Sequence, residues 1–290
     1  ICRLVWLTDY KANNKAVETV EFEQKVMEKA IEYLELKIKE INPTTTVGIF
    51  IDGVCPMAKI VQQRQRRFAS ILDKEIMNNI RHKHGVAKDE YYDTNAITPG
   101  TEFMEKFNKY IMNYVNNHNN KQDSTFKFVY SSYQEVGEGE HKIIKYIKNY
   151  VQTNENIVIY GLDADLIILS MTLTVRGYKI YLYREHDSSI ASLNQPMIYF
   201  DVNSCAKMLA KDLSGDTVDI NHMNNVIPYM IDFVFMTLLL GNDFLHHIPS
   251  LSIQHNGVDY VINLYTSCLH RVQDYLLSKV GNRTQINNNF

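Results

Sequence analysis

Apolar and polar positions alternate along the chain with two periods. Residues 18–41, ETVEFEQKVMEKAIEYLELKIKEI, set apolar side chains at helical spacing between charges, and Asn42-Pro43 ends the helix this predicts. TTTVGIFID (44–52) is β-branched and apolar and predicts a buried strand ending on Asp52. Pro56 suits the first turn of a helix, and a charged stretch continues to about His84. Thr98-Pro99-Gly100-Thr101 predicts a turn, with Thr101 as the N-cap of a helix to Asn117. VNNHNNKQDS (115–124) reads as a polar loop. FKFVYSS (126–132), NIVIYG (156–161), YKIYLYRE (178–185) and PMIYFD (196–201) read as strands. GEGEHKIIKYIKNY turns into a helix, DADLIILS into another, and VIPYMIDFVFMTLLLGNDF into a largely buried one. Strands alternating with helices predict an α/β fold, a mostly parallel sheet flanked by helices. The opening ICRLVWL reads as a further strand rather than a signal peptide, since no small-residue cleavage site follows it.

Composition narrows the class. Over 290 residues, 45% are hydrophobic and 22% charged, ordinary for a globular protein with a substantial core, and no apolar run reaches the length of a membrane span. The four cysteines, Cys2, Cys55, Cys205 and Cys268, follow no zinc spacing and point to a reducing intracellular setting, nucleus and cytoplasm being indistinguishable. A net charge of −3 excludes binding to nucleic acid by bulk charge, so any such contact needs a local basic patch. The 19 Tyr and 12 Phe could stack on bases of a single-stranded nucleic acid, but most of those in IVIY, FKFVYSS and DFVFM read as core.

Two groups of charged residues carry chemistry. Asp52 ends one strand, Glu138 and Glu140 lie just beyond another, and Asp163 and Asp165 follow a third. The carboxyl ends of parallel strands line one crevice, so these five acids are expected at one edge of the sheet. Like charges about 4 Å apart repel by about 4 kcal/mol at an effective dielectric near 20, which a hard divalent cation such as Mg²⁺ relieves. Gly137 and Gly139 are expected to let the backbone approach a metal or phosphate closely. Some of these acids also have a plainer reading, Asp163 as a helix cap and GEGE as a solvated turn, and Asp243, in GNDF at the end of an apolar helix, reads as a cap too. His141 reads as a helix first-turn residue rather than one that contacts a substrate. In PMAKIVQQRQRRF (56–68), Lys59, Gln63, Arg66 and Arg67 fall within an arc of about 100° on an ideal helix. That face suits a terminal phosphate, which Arg can hold bidentately, although a solvated charged face is the ordinary reading of such a run.

IDGVCPMAKIVQQRQRRF, NAITPGTEFM, SSYQEVGEGEHKI, YGLDADLIILS and DFVFMTLLLGNDFLHHIPSLSI resemble, in that order, the N-terminal conserved region of the Xrn family of 5′→3′ exoribonucleases. The resemblance implies a PIN/FEN-like nuclease core, with residues 1–290 as a single N-terminal nuclease domain truncated at both ends. It implies that Asp52, Glu138, Glu140, Asp163, Asp165 and Asp243 are catalytic carboxylates holding Mg²⁺ or Mn²⁺, two ions in all. Asp243 joins the set by resemblance alone. Lys59, Gln63, Arg66 and Arg67 are the implied 5′-monophosphate pocket. The implied substrate is single-stranded RNA with a 5′-monophosphate, degraded to nucleoside 5′-monophosphates, with no membrane involved.

Departures from the pattern are also visible. The family's first strand carries a further aspartate followed by Asn-Gly, and nothing here matches it. Asp9 lies too close to the helix at 18 to be assigned that role, and the chain is expected to begin downstream of that motif and to end before the family's second conserved region. Met57, Val136 and His246 stand where the family usually has Arg, Pro and Pro. Two other readings compete: a flap-type DNA nuclease of the same superfamily, and a non-catalytic RNA-binding or scaffold relative that keeps the pocket.

Overall fold

A computed structural model describes residues 19–87, 92–185, 197–280 and 283–290. The strand expected at 1–7, and Asp9, lie outside the described residues. The chain divides into two compact units, Ile1–Ile143 and Ile144–Phe290.

The first unit carries α1 (Thr19–Ile41), β1 (Thr46–Phe50), α2 (Met57–Lys83), a 3₁₀ turn (Thr94–Ala96), α3 (Glu102–Asn119), β2 (Lys127–Ser131) and the start of α4 (Gly139–Tyr150). The apolar stripe of α1 begins with Phe22, Val26 and Met27, which cluster with Phe103, Met104 and Tyr133. Ile31, Leu34 and Ile38 continue it toward Ile111, Val115 and Phe128. Each large side chain so buried contributes about 1.5–3 kcal/mol. Glu23 is buried on the same helix, and its charge is answered by Tyr92 Oη and Lys106 Nζ, both at 3.1 Å. β1 and β2 pair in parallel, from Thr46 opposite Lys127 to Phe50 opposite Ser131.

Thr101 caps α3 as the sequence predicts, its hydroxyl accepting from Met104 N at 3.3 Å. The helix runs two residues beyond the expected Asn117, into what read as loop. Asn119 explains the extension: its side chain exchanges bonds with both backbone groups of Phe128, at 2.8 and 3.0 Å, and so completes the open ladder beside β2.

The second unit carries β3 (Asn156–Tyr160), α5 (Asp165–Thr174), β4 (Lys179–Glu185), β5 (Met197–Asp201), α6 (Val202–Leu213), α7 (Met223–Leu239), α8 (Gly257–Val272) and a hairpin of β6 (Leu277–Val280) and β7 (Arg283–Ile286). β3 and β4 are parallel, joined through α5. Ile180 and Leu182 of β4 are fully buried, as are Val202, Ala206 and Ala210 of α6 and Val226 and Met230 of α7. Asp232 is fully buried inside the apolar α7, which the sequence did not signal. It accepts from Tyr265 Oη (2.8 Å), Leu276 N and Leu277 N (2.9 Å each), tying α7 to α8 and to the hairpin.

The class is α/β as expected, but the sheet differs. Among the described residues the strands form two two-stranded sheets and one three-stranded sheet. β5 runs antiparallel to β4. Residues 186–196 join them, shorter than the dozen or more residues a parallel crossover needs. No described helix is long and apolar enough to cross a membrane.

Candidate functional site

The site grows from the loops that leave β1 and β2. Ile51 N donates to Ser131 O (3.0 Å), carrying the pairing one residue past the strands. Gly53 N then donates to Gly137 O, and Gly137 N to Val54 O, each at 2.9 Å. A Cβ on Gly53 would lie 1.8 Å from Glu135 O, and Gly137 holds φ +101°, so each position requires glycine for its own reason. Gly139 N donates to Asp52 Oδ1 at 2.6 Å, and a Cβ there would stand 2.7 Å from Phe50 O. The close approach expected of Gly137 and Gly139 toward a metal or phosphate is thus an approach, at Gly139, to the protein's own β1 exit. Beneath the loops, the buried Lys142 donates to Ile51 O and Ser132 O, both at 2.8 Å. Burial holds its pKa below the ordinary lysine value, with Glu135 and Asp52 opposing the shift.

α4 starts at this junction and brings Glu138, Glu140 and His141 together, with one ligand atom of each within 4.8 Å of the others. Acids at a helix N-terminus are favoured by the helix dipole. Glu138 is buried and its Oε1 lies 2.5 Å from Lys59 Nζ. Its Oε2 is buried with no hydrogen-bond partner among the described residues, and lies 3.8 Å from His141 Nδ1. A carboxylate oxygen removed from water without a partner is costly. A hard cation among Glu138, Glu140 and His141 would remove that cost, and the two carboxylates suit such an ion. The donor set fits a divalent metal.

α2 runs from the loop after Asp52, with Pro56 at its N-cap and no fully buried side chain. Its Gln63, Arg66 and Arg67 line a pocket of about 510 Å³ together with Asp52, Glu138 and the segment Thr94–Pro99. Arg67 Nη2 reaches Gln63 Oε1 at 3.4 Å. The opposite wall is held by Thr101, whose hydroxyl points at the Ala96 and Thr98 carbonyls. Sequence reasoning saw this wall only as a turn. His141 was read as a first-turn residue and is one, yet its ring lies 3.8 and 3.7 Å from Glu138 and Glu140.

Of the six acids, Asp52, Glu138 and Glu140 gather in the first unit. Asp163, Asp165 and Asp243 belong to the second. Asp163 is exposed in the loop after β3 and does not cap α5, whose N-cap is Ala164 with no side-chain bond. Asp165 is the first residue of α5, and Asp243 lies in the loop after α7.

What the geometry defines is a cluster of two carboxylates and an imidazole that shares Glu138 with a cation-lined pocket. Residues 4–186 match the model of the XRN 5′-3′ exonuclease N-terminus, and residues 224–288 that of the Xrn1 helical domain. The chain belongs to the XRN 5′-3′ exonuclease family. It is 30% identical over 270 residues to 5′-3′ exoribonuclease 1 of Saccharomyces cerevisiae, covering 88% of this chain and 18% of that protein. It is 30% identical to 5′-3′ exoribonuclease 2 of Eremothecium gossypii, covering 91% and 32%. With 5′-3′ exoribonuclease 1 of Homo sapiens it shares 27%, covering 88% and 16%. The chain therefore spans less than a third of the length of each of these relatives.

Proposed function

We propose that this chain is the catalytic region of a metal-dependent 5′→3′ exoribonuclease with a PIN/FEN-like core. Its substrate is single-stranded RNA with a 5′-monophosphate, and its products are nucleoside 5′-monophosphates. One observation carries the reading: Glu138 belongs at once to the acid cluster and to the wall of the cationic pocket. A terminal phosphate and a scissile bond are thereby offered places side by side.

In this reading Arg66 and Arg67 grip the terminal phosphate, with Gln63 and Lys59 as further donors. A terminal monophosphate carries more charge than an internal diester, and a pocket tuned to it selects free 5′ ends over caps and triphosphates. Asp52, Glu138 and Glu140 hold Mg²⁺ or Mn²⁺, and the family resemblance assigns Asp163, Asp165 and Asp243 to the metals as well, two ions in all. Such ions, when bound, activate a water and stabilise the leaving oxygen. The water oxygen bonds to phosphorus, the bond from phosphorus to the first nucleotide's O3′ breaks, and that oxygen leaves as a hydroxyl. The shortened RNA again ends in a 5′-monophosphate, so the same pocket accepts it unchanged.

The test is a time course with Mg²⁺ on matched 5′-phosphate and 5′-hydroxyl RNAs, with a branched DNA alongside. Mononucleotides from the 5′-phosphate RNA alone are expected. Equal digestion of the 5′-hydroxyl RNA would refute the pocket, preference for the DNA would favour a flap nuclease, and binding without cleavage a scaffold.

A further inference from the structure

We propose that Lys59 couples the pocket to the acid cluster, so that a 5′-monophosphate and a divalent cation each strengthen the other's binding. The inference rests on the site reading above. Glu138 faces both ways: Oε1 meets Lys59 Nζ at 2.5 Å, with the side chains 8% and 13% exposed, while Oε2 is turned toward the cluster with no hydrogen-bond partner among the described residues. Gln63, Arg66 and Arg67 line the pocket, whereas Lys59, one turn nearer the start of α2, is paired with Glu138.

A lysine ammonium is a compact charge on a flexible stem, able to change partner without moving its helix. A phosphate dianion in the pocket draws it away from Glu138. That leaves a buried carboxylate short of positive charge, a costly state that a cation at Glu138 relieves. Conversely, a cation at Glu138 repels the ammonium and supplies the phosphate with a third positive group beside Arg66 and Arg67. Both ligands favour the same separated state of the pair, and linkage makes their mutual effect equal in the two directions.

The experiment is a titration of the intact protein with Mn²⁺, following the paramagnetic signal of the free ion, with uridine 5′-monophosphate or uridine present. The nucleotide has no bond for the enzyme to cut, and its own association with Mn²⁺ is measured without protein and subtracted. A rise in Mn²⁺ affinity of about tenfold is expected with the nucleotide and none with uridine, within the usual range of coupling between sites. Lys59→Gln should lose the rise and Lys59→Arg keep it; Lys59→Met, which preserves the stem, gives the same readout should the glutamine variant not fold. Full coupling in the uncharged variants means that phosphate and cation communicate directly, and overturns the inference. Binding of both ligands by the wild type without the rise also overturns it alone. Binding of neither removes the exoribonuclease reading, and this inference with it.

Discussion

Gly53, Gly137 and Gly139 serve different needs within one junction. Gly137 supplies a left-handed backbone, while Gly53 and Gly139 supply space for neighbouring carbonyls. Gly53→Ala would set its Cβ 1.8 Å from a backbone oxygen, which no side-chain rotation can relieve. The two loops must then separate, and a loss of about 1–3 kcal/mol in urea unfolding is expected. At this scale the sequence was uneven as a guide. GEGE stood out because acids and glycines cluster there. Asp232 did not, because one polar residue on an apolar helix looks the same whether it is buried among partners or facing water, and neither did Lys142, one of several lysines on α4. Burial also moves the Asp232 carboxyl above its ordinary 3.8, against the pull of its three donors. The folded protein therefore binds that proton at higher pH than the unfolded chain. The group's contribution is most favourable below pH 3.8 and declines as pH rises through the raised value. Asp232→Asn should remove that slope from the urea midpoint measured against pH.

At the scale of elements, Thr101 joins a helix cap to a pocket wall. Its oxygen receives Met104 N, and its proton points at the carbonyls of the Thr94–Pro99 segment. Thr101→Ala is expected to cost about 1 kcal/mol in thermal unfolding and also to weaken affinity for 5′-phosphorylated RNA. A cap that served α3 alone would leave the second quantity unchanged. The elements themselves were largely legible. The stripe of α1 and the β-branched run of β1 have clear periods, and Pro56 and Thr101 mark starts that the structure keeps. What periodicity could not supply was strand direction. The antiparallel β5 follows from the length of its connection to β4, and β5 looks in sequence like any other strand. The end of α3 was missed for a similar reason, since Asn119 acts through a residue nine positions away.

For the molecule as a whole, the assigned groups divide between the units. Every residue of the proposed phosphate pocket lies in the first, together with Asp52, Glu138 and Glu140, whereas Asp163, Asp165 and Asp243 lie in the second. The proposed reading therefore gives the units separable contributions. Asp163→Ala is expected to abolish RNA cleavage while leaving affinity for uridine 5′-monophosphate unchanged, as gel assays and calorimetry on the same preparation would show. Sequence spacing expected five of the acids beyond strands, and in the chain order of elements Asp52 follows β1, Glu138 and Glu140 follow β2, and Asp163 and Asp165 follow β3. Spacing alone could not tell which exits share a unit.

Lys142 gives the junction one more property. Its ammonium spans Ile51 and Ser132, the residues that follow the two strands, from a position only 8% exposed, and burial makes it more willing than an ordinary lysine to give up its proton. An amine with more of its lone pair available is a stronger nucleophile toward acylating reagents, yet the closed loops shield it from them. Its modification rate is then governed by how often the loops part, so this lysine becomes a clock for the breathing of the junction.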